Sequence, residues 1–352
     1  MMNSSSKYRL ALIFVLTSLS TGVIIGFIVN SVITNRVIYE TQERVKEALN
    51  TARWVYHSKL NDVDRTIRLT SMRYILKEAL RKEKTLPIKD DLNRTMIDEG
   101  LDFLTLVDRK GTVLLRVHQP GMSGDSLADD PFVGEALVHK TLSGTQVLSR
   151  DELLKEGKTI ADKAVFSLVP TPKEKPIEKL ELTSGMVLKS AHPVVDVNGK
   201  VLGALVGGVL LNRNYEIVDR IKNIVFRNAK YKAKEIGTAT IFLGDWRIST
   251  NVMDRERHRA VGTRAMKEVQ EQVLQKGLPW MQRAYVVDDW YITAYEPLRD
   301  FRDKIVGMLY VGILETKYTA LKEKLILLFM LGMLVSVAIS SFLSLKMVTK
   351  QP

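Results

Sequence analysis

The chain has 352 residues, a formal net charge of +12 and no cysteine. The length exceeds that of one small domain and suits two modules with additional helices. The lack of cysteine excludes disulfides, thiolate zinc sites and c-type haem attachment.

Two uncharged apolar runs lie near the ends of the chain, at 10–33 and 325–345. At a rise of about 1.5 Å per residue, a helix of either length crosses a hydrocarbon core of about 30 Å. The first run is longer than the apolar part of a signal peptide, and no cleavage motif follows it. Both runs are therefore predicted to be transmembrane helices.

Charges beside the two runs predict the orientation of the chain. Lys7 and Arg9 precede the first run, and Lys346 and Lys350 follow the second. The positive-inside rule then places the tails, 1–9 and 346–352, in the cytoplasm of a bacterium and residues 34–324 outside the inner membrane. The positive charge that remains outside favours an anionic partner, either lipid head groups or small acidic molecules, and that location excludes nucleic acid.

A long helix is predicted after the first span, within a stalk at 34–98. Apolar or aromatic residues recur three or four positions apart, which is typical of a helix seam. They lie at positions 45, 49, 52, 56, 60, 63, 67 and 74. A helix of this length is expected to pack partly on its own domain and partly on a second subunit, so a homodimer is predicted.

The next segment, 99–212, is predicted to be a module of two strands, a helix and further strands. The elements are Leu101 to Val107, Thr112 to Val117, a helix over Pro131 to Leu142, Met186 to Val195 and Val201 to Leu211. Residues 150–182, rich in Lys, Glu, Thr and Pro, are interpreted as a surface insertion. A basic helix, Arg220 to Lys234, is predicted within the connecting segment 213–236.

A second module is predicted at 237–315, followed by a juxtamembrane helix at 316–324. Its elements are Ala239 to Leu243, Arg247 to Asn251, a helix over Arg264 to Gln275, Tyr291 to Leu298 and Ile305 to Leu314. The same order of strands and helix in both modules predicts an α+β fold with antiparallel sheets and helices packed against them.

An internal repeat supports this division. Five residues recur with a displacement of 104 residues (193 to 297): Pro193, Asp196, Lys200, Gly203 and Gly208 return as Pro297, Asp300, Lys304, Gly307 and Gly312. Each copy is predicted to be a strand, a tight turn and a strand, with Asp196 and Asp300 accepting hydrogen bonds inside their own turns.

These residues resemble the Cache superfamily, the PAS-like extracellular sensors of bacterial chemoreceptors, histidine kinases and cyclic-dinucleotide enzymes. The second module is similar to the third Cache class through Arg247-Ile-Ser-Thr-Asn251, Ala260-Val-Gly-Thr-Arg264, Arg283-Ala284, Tyr291-Ile-Thr-Ala-Tyr295 and Val306-Gly-Met-Leu-Tyr-Val-Gly312. The first module matches more loosely, through Leu106-Val-Asp108, Gly111 and Ala191-His-Pro193. The resemblance implies two tandem PAS-like modules, and the last residues resemble the start of a HAMP linker to a cytoplasmic output domain or partner.

The resemblance places a candidate ligand site in the second module. Its residues are Arg247, Arg264, Arg283, Tyr291, Thr293 and Tyr295. Arginine suits a carboxylate because its planar fork donates two parallel hydrogen bonds, although each arginine can instead pair with a local acid such as Asp245, Glu296 or Asp300. The three β-strand residues share one face, which is either a pocket or core.

An alternative site lies in the first module, where four polar residues sit on probable strands. They are Arg116, His118, Lys189 and His192. No spacing of His, Asp or Glu supports a metal site, no cofactor is predicted, and no catalytic motif is present, so an enzyme is disfavoured.

The predicted function is a membrane-anchored sensor that binds a short organic acid outside the membrane and transmits a helix displacement. The alternative is an extracytoplasmic protein-interaction module without a small-molecule ligand, and an anchored enzyme is a weaker third hypothesis. Small-residue faces at Gly22 and Gly26 and at Gly332 and Ser336 suit close packing of the two spans.

Overall fold

The structure is a computed structural model that describes residues 4–82, 86–176, 180–232 and 234–349. The extreme ends of the two predicted cytoplasmic tails lie outside these ranges. The chain divides into two compact units. One contains the residues up to Arg44 together with those from Leu314 onward, and the other contains Val45–Ile313.

Helices occupy the N-terminal region, the connections between strands and the C-terminal region. They are α1 Ser4–Ser71, α2 Tyr74–Lys82, α3 Leu86–Asp98, α4 Pro131–Leu137, α5 Arg150–Glu156, α6 Lys158–Lys163, α7 Glu216–Ile221, α8 Lys267–Val269 and α9 Thr316–Thr349. Two π-helical turns, Lys222–Phe226 and Gln270–Gln275, continue α7 and α8.

Most strands belong to two five-stranded antiparallel sheets. The strands of the first are β1 Phe103–Asp108, β2 Val113–Arg116, β3 Leu142–Leu148, β6 Gly185–Val195 and β7 Val201–Leu210. Those of the second are β10 Gly237–Leu243, β11 Trp246–Thr250, β12 Arg283–Val286, β13 Asp289–Arg299 and β14 Ile305–Leu314. Two short pairs accompany them, β4 Phe166–Ser167 with β5 Glu181–Leu182, and β8 Lys230–Tyr231 with β9 Lys234–Glu235.

The two sheets have equivalent strand orders. The first runs β2-β1-β7-β6-β3, and the second runs β11-β10-β14-β13-β12. The strands predicted from the repeat, β6 with β7 and β13 with β14, take the same central places in each sheet. The prediction of an α+β fold with antiparallel sheets is confirmed.

Helices cover both faces of the first sheet. On one face, α4 packs through Phe132 and Val133 in a cluster with Ala191 and Val206, and α5 and α6 add a neighbouring cluster around Leu153. Successive side chains of a strand point to opposite faces, so Ala191 and Lys189 share this face whereas Ser190 and His192 face α1.

The repeated glycines allow neighbouring strands to approach closely. A Cβ on Gly203 would lie 2.1 Å from the carbonyl oxygen of Val107, and one on Gly307 would lie 1.9 Å from that of Phe242. The two positions are equivalent in the two sheets. The repeat therefore preserves a backbone contact as well as a turn.

The turns of the repeat are capped as predicted. Asp196 Oδ1 accepts from the backbone N–H groups of Asn198 and Lys200, and Asp300 Oδ1 accepts from those of Arg302 and Lys304.

The turn between β13 and β14 joins the two sheets. The Phe301 ring packs edge-to-face on Phe132 of α4 with 4.9 Å between ring centroids, and the Phe301 N–H donates to the carbonyl oxygen of Thr145 at 3.2 Å.

The helix α1 also contacts both sheets. Tyr56 shares a 2.7 Å hydrogen bond with Thr145, and Arg53 Nε donates to Glu296 at 3.0 Å.

The predicted helix seam is confirmed as far as Ile67. The seam residues Val45, Leu49, Ala52, Tyr56, Val63 and Ile67 are buried, and Leu60 is half-buried. The helix breaks at Met72 and Arg73, so Tyr74 begins a new helix and is 72% exposed.

Three predicted elements differ from the structure. The helix expected over Arg220 to Lys234 ends at Phe226, because Arg227 and Asn228 adopt positive φ and a β-hairpin follows. The helix expected to reach Leu142 ends at Leu137, and His139 with a φ of 66° turns the chain into β3. The helix expected from Arg264 begins only at Lys267.

The surface-insertion interpretation of 150–182 is wrong for its first part. Leu153 and Ile160 of α5 and α6 are buried in the core of the first half. The later part, which includes 177–179 outside the described residues, connects β4 to β5.

Within the part of the chain that the structure describes, one stretch is long and apolar enough to cross a membrane, Glu323–Phe342 of α9. The apolar stretch Leu19–Ile28 of α1 is shorter than a span. The span at 10–33 therefore stays a prediction. In this unit a Cβ on Gly26 would lie 3.1 Å from the Phe329 ring, and one on Gly22 would meet Met333.

Candidate functional site

The two predicted sites occupy equivalent faces of the two sheets. Thr293 is displaced by 104 residues from Lys189 (189 to 293) and lies at the same place in β13 as Lys189 does in β6. The two candidate sites can therefore be compared residue by residue.

In the first sheet, two of the four predicted residues line one cavity. Arg116 and Lys189 border a space of about 220 Å³ between the sheet, α4 and α5. This volume lies below the range of about 300–1,000 Å³ typical of drug-sized ligands and suits a small metabolite. His192 faces away, with Nε2 2.8 Å from Asp64 of α1, and His118 is exposed.

The cations of this cavity already have acidic partners. Arg116 donates to both Asp125 oxygens at 2.6 and 2.9 Å and to Glu156 at 3.2 Å. Lys189 Nζ donates to Asp130 and to Gln146. Other charged residues also border the cavity: Asp129, Glu152 and Lys155. This mixture of signs suits a ligand that carries both charges better than a simple anion.

Sequence reasoning missed the acidic part of this cavity. Glu156 belongs to the segment interpreted as a surface insertion, and its Oε2 accepts from the Thr105 hydroxyl at 2.9 Å. The capping box of Ser149 and Glu152, which begins α5, is the sequence signal that identifies this helix.

The Arg116–Asp125 pair predicts acid sensitivity. Its hydrogen bonds hold the pKa of Asp125 below the ordinary value, so the pair contributes stability above the unfolded-state pKa of about 4. That stability is lost as pH falls through the lower folded-state pKa. Below about pH 4, we expect the unfolding temperature of the wild type to fall more steeply than that of Asp125→Asn. Parallel curves for the two proteins would show that the pair contributes nothing.

In the second sheet, Arg247 lies beside the predicted tyrosines. The side chain is 1% exposed, its guanidinium lies 4.9 Å from the Phe242 ring centroid, and Nη1 donates to the Thr263 hydroxyl. Among the described residues, no carboxylate lies within ion-pair distance of Arg247, and Nε has no hydrogen-bond partner. Burial lowers the pKa of Arg247, whereas the neighbouring Tyr295, Tyr310 and Tyr291 act in the opposite direction.

The aromatic residues around Arg247 form a packed group. Tyr295 lies 4.7 Å from Tyr310 and 6.0 Å from Phe242 between ring centroids. The Tyr310 hydroxyl shares a 2.9 Å hydrogen bond with Thr238. Burial raises the pKa of Tyr291, Tyr295 and Tyr310, so all three are neutral hydrogen-bond donors.

The other predicted residues of this site do not converge on Arg247. Arg264 is paired with Asp245, to which Nε donates at 2.8 Å, and Nη1 donates to the Lys175 carbonyl oxygen at 2.6 Å. Arg283 lies outside, with its guanidinium 3.9 Å from the Trp290 ring centroid. The Thr293 hydroxyl donates to the Gln282 carbonyl oxygen at 2.6 Å. Arg264 thus pairs with a local acid, which was the alternative considered for each arginine.

Tyr310, Phe242 and Thr263 join this site although the sequence did not single them out. Strand alternation identifies Tyr310, because it is opposite Thr240 in β10 and shares a face with Phe242. Thr263 lies in a loop, where no periodicity marks it.

Comparison with known proteins gives one family match. The family model for single Cache domain 3 matches residues 209–325. No curated protein matches the chain.

Solved structures similar to this chain are sensor domains. The periplasmic domain of Vibrio cholerae LuxQ has 12% identity and a TM-score of 0.44, with 76% of this chain and 98% of that chain covered. The V. cholerae histidine kinase DctB sensor domain has 12% identity and a TM-score of 0.43, with 78% and 98% covered. The sensory domain of the Campylobacter jejuni chemoreceptor Tlp3 with isoleucine bound has 10% identity and a TM-score of 0.41, with 82% and 97% covered.

The residues from the end of β7 through the second sheet, which hold Arg247 and its tyrosines, are the part that the family model matches. The segment 209–325 is therefore similar to single Cache domain 3, which is consistent with a sensor of the Cache superfamily.

Proposed function

We propose that the chain is the membrane-anchored, extracytoplasmic sensory part of a bacterial receptor and that it detects a short organic acid. The Cache assignment supports sensing rather than catalysis. The site around Arg247 supports the ligand class.

The observation that carries the proposal is the buried, unpaired guanidinium of Arg247. A charge removed from water is costly unless it is paired. A ligand carboxylate would accept from the Nε of Arg247, which has no described partner, and from the hydroxyls of Tyr291 and Tyr295. These three groups are donors, which is the arrangement that a carboxylate requires.

The connection from the second sheet to the C-terminal helix supports signalling. β14 ends at Leu314 and α9 begins at Thr316, so only Glu315 separates a central strand from the helix that holds the candidate span. A ligand that binds two states of the sheet unequally would shift the strand and displace this helix across the membrane. The exposed Trp54 and Leu69 of α1 and Tyr74 of α2 support a homodimer contact along these helices.

The test is thermal unfolding of the full chain in detergent micelles with acetate, succinate, citrate and a set of amino acids. A ligand at 100 times its dissociation constant adds about 2.7 kcal/mol, which raises the unfolding temperature by roughly 5–10 °C. We expect a selective rise with one carboxylate. No rise with any compound would favour the protein-interaction alternative.

A second candidate ligand class is favoured by the cavity of the first sheet. Asp129 and Glu152 border it together with Lys155, so a zwitterion such as an amino acid has groups of both signs to contact. A rise with an amino acid that persists in Arg247→Met and is lost in Lys189→Met would assign the ligand to this cavity.

A further inference from the structure

A segment of the first half of the chain lies against the second half. Residues 168–176, here called the strap, follow β4 and contain Pro170, Pro172 and Pro176. Proline fixes φ, so the segment is stiff and loses little entropy when it docks, although it bends at Lys173, which has a φ of 69°.

The strap is hydrogen-bonded to the loop 259–267, which follows β11. The Val169 N–H donates to the Gly262 carbonyl oxygen at 3.1 Å, and the Lys267 N–H donates to the Lys173 carbonyl oxygen at 3.1 Å. Next to the second of these bonds, Glu174 and Met266 form an antiparallel bridge. Gly262 has a φ of 80°, and a Cβ there would lie 2.6 Å from the Ser167 carbonyl oxygen, so glycine permits this approach.

The strap also reaches the opposite edge of the second sheet. Lys173 Nζ lies 4.4 Å from the Trp290 ring centroid and 5.8 Å from that of Tyr285, on the hairpin of β12 and β13. Since β11 and β12 are the two edge strands, the strap ties the loop beside one edge to the hairpin at the other.

The loop held by the strap also holds Arg247. The Arg247 N–H donates to the Thr263 carbonyl oxygen at 2.8 Å, the Gly262 N–H donates to the Arg247 carbonyl oxygen at 3.0 Å, and the Thr263 hydroxyl accepts from the guanidinium. Arg247 is 1% exposed, so a ligand reaches it only after a covering segment moves. None of the strap's own side chains is buried, and segments with few buried contacts open at low cost.

We propose that the strap, contributed by the first half of the chain, closes the Arg247 site of the second half and controls the rate at which an anion enters. This inference rests on the proposed function for the identity of the ligand. The strap lies outside residues 209–325, the segment that the single Cache domain 3 model matches. That segment alone would therefore lack the part of the chain that closes the site.

A reversible cross-link tests the strap. The natural chain has no cysteine, so Glu174→Cys with Met266→Cys in the full chain introduces one thiol pair. Bridged residues of antiparallel strands lie close enough for a disulfide. In the oxidised protein we expect amide hydrogen exchange of residues 259–267 to slow at least tenfold without ligand, and association of the carboxylate found by thermal unfolding to slow similarly. Reduction restores both rates.

A matched control and a second variant complete the test. Lys230→Cys with Glu235→Cys, paired in the β8–β9 hairpin, should leave both rates unchanged on oxidation. Lys173→Ala, which removes the contact with Trp290, should raise exchange of residues 259–267 about threefold. Equal hydrogen-exchange rates of residues 259–267 in the oxidised and reduced cysteine variants would overturn the proposal that the strap closes the site. If no carboxylate binds the wild type, the proposed function fails. The exchange measurement still decides whether the strap restrains the loop 259–267.

Discussion

Replacing Arg247 by methionine is expected to raise the unfolding temperature of the ligand-free protein and to abolish the response to the carboxylate. Exchanging an uncompensated buried charge for an apolar side chain of similar length removes a desolvation penalty. Replacing even a buried ion pair by apolar residues often stabilises by about 1–4 kcal/mol, and we expect a gain of this order. The bound carboxylate would lose its charged partner, which reduces affinity by about 100-fold or more.

Arg264→Met is the matched control for this prediction. Arg264 is nearly as buried as Arg247 but is paired with Asp245. Removing the Arg264 guanidinium leaves the Asp245 carboxylate without its partner. We therefore expect a destabilisation of about 3 kcal/mol, whereas Arg247→Met is expected to stabilise the protein. Thermal unfolding of both variants, with and without the carboxylate, measures the two effects. A destabilised Arg247→Met that still responds to the ligand would show that the protein itself satisfies the Arg247 charge.

Gly307→Ala is expected to cause a large loss of stability in the second sheet. The new Cβ would lie 1.9 Å from the Phe242 carbonyl oxygen, which belongs to the backbone of β10 and cannot move aside. Overpacking of this kind costs about 3 kcal/mol, or a fall of roughly 10 °C in unfolding temperature.

The control is Gly121→Ala, where a Cβ would meet no heavy atom within 4 Å. Its unfolding temperature should match that of the wild type. Because Gly203 makes the equivalent contact in the first sheet, Gly203→Ala should resemble Gly307→Ala. A Gly307→Ala protein as stable as Gly121→Ala would mean that β10 and β14 are further apart than the structure indicates.

The central strands were predictable because two sequence signals coincide there. The repeat marks β6, β7, β13 and β14, and Asn198-Gly199 marks the first turn. Helix ends were harder to predict, since they depend on single residues at positive φ, such as His139 and Arg227, that carry no residue-type preference. The helices α5 and α6 were missed because their charged residues obscure the few apolar positions that face the core.

The candidate site was only partly predictable for a related reason. Alternation along β13 placed Tyr291 and Tyr295 on one face, and that face holds Arg247. Which arginine stays unpaired depends on Asp245, which closely precedes Arg247 in sequence but forms its ion pair with Arg264, 19 residues away. Contacts between distant segments, such as the strap with loop 259–267, have no local sequence pattern.

The contacts of α1 with both sheets bear on how the chain reaches its native state. Arg53 of α1 pairs with Glu296, and these residues are 243 positions apart in the chain. Contacts of such high sequence separation slow folding, because a long loop must close before they form. A chain emerges from the ribosome N-terminus first, so α1 is complete long before β13 exists. The helix α1 is thus among the last elements to gain its full set of contacts.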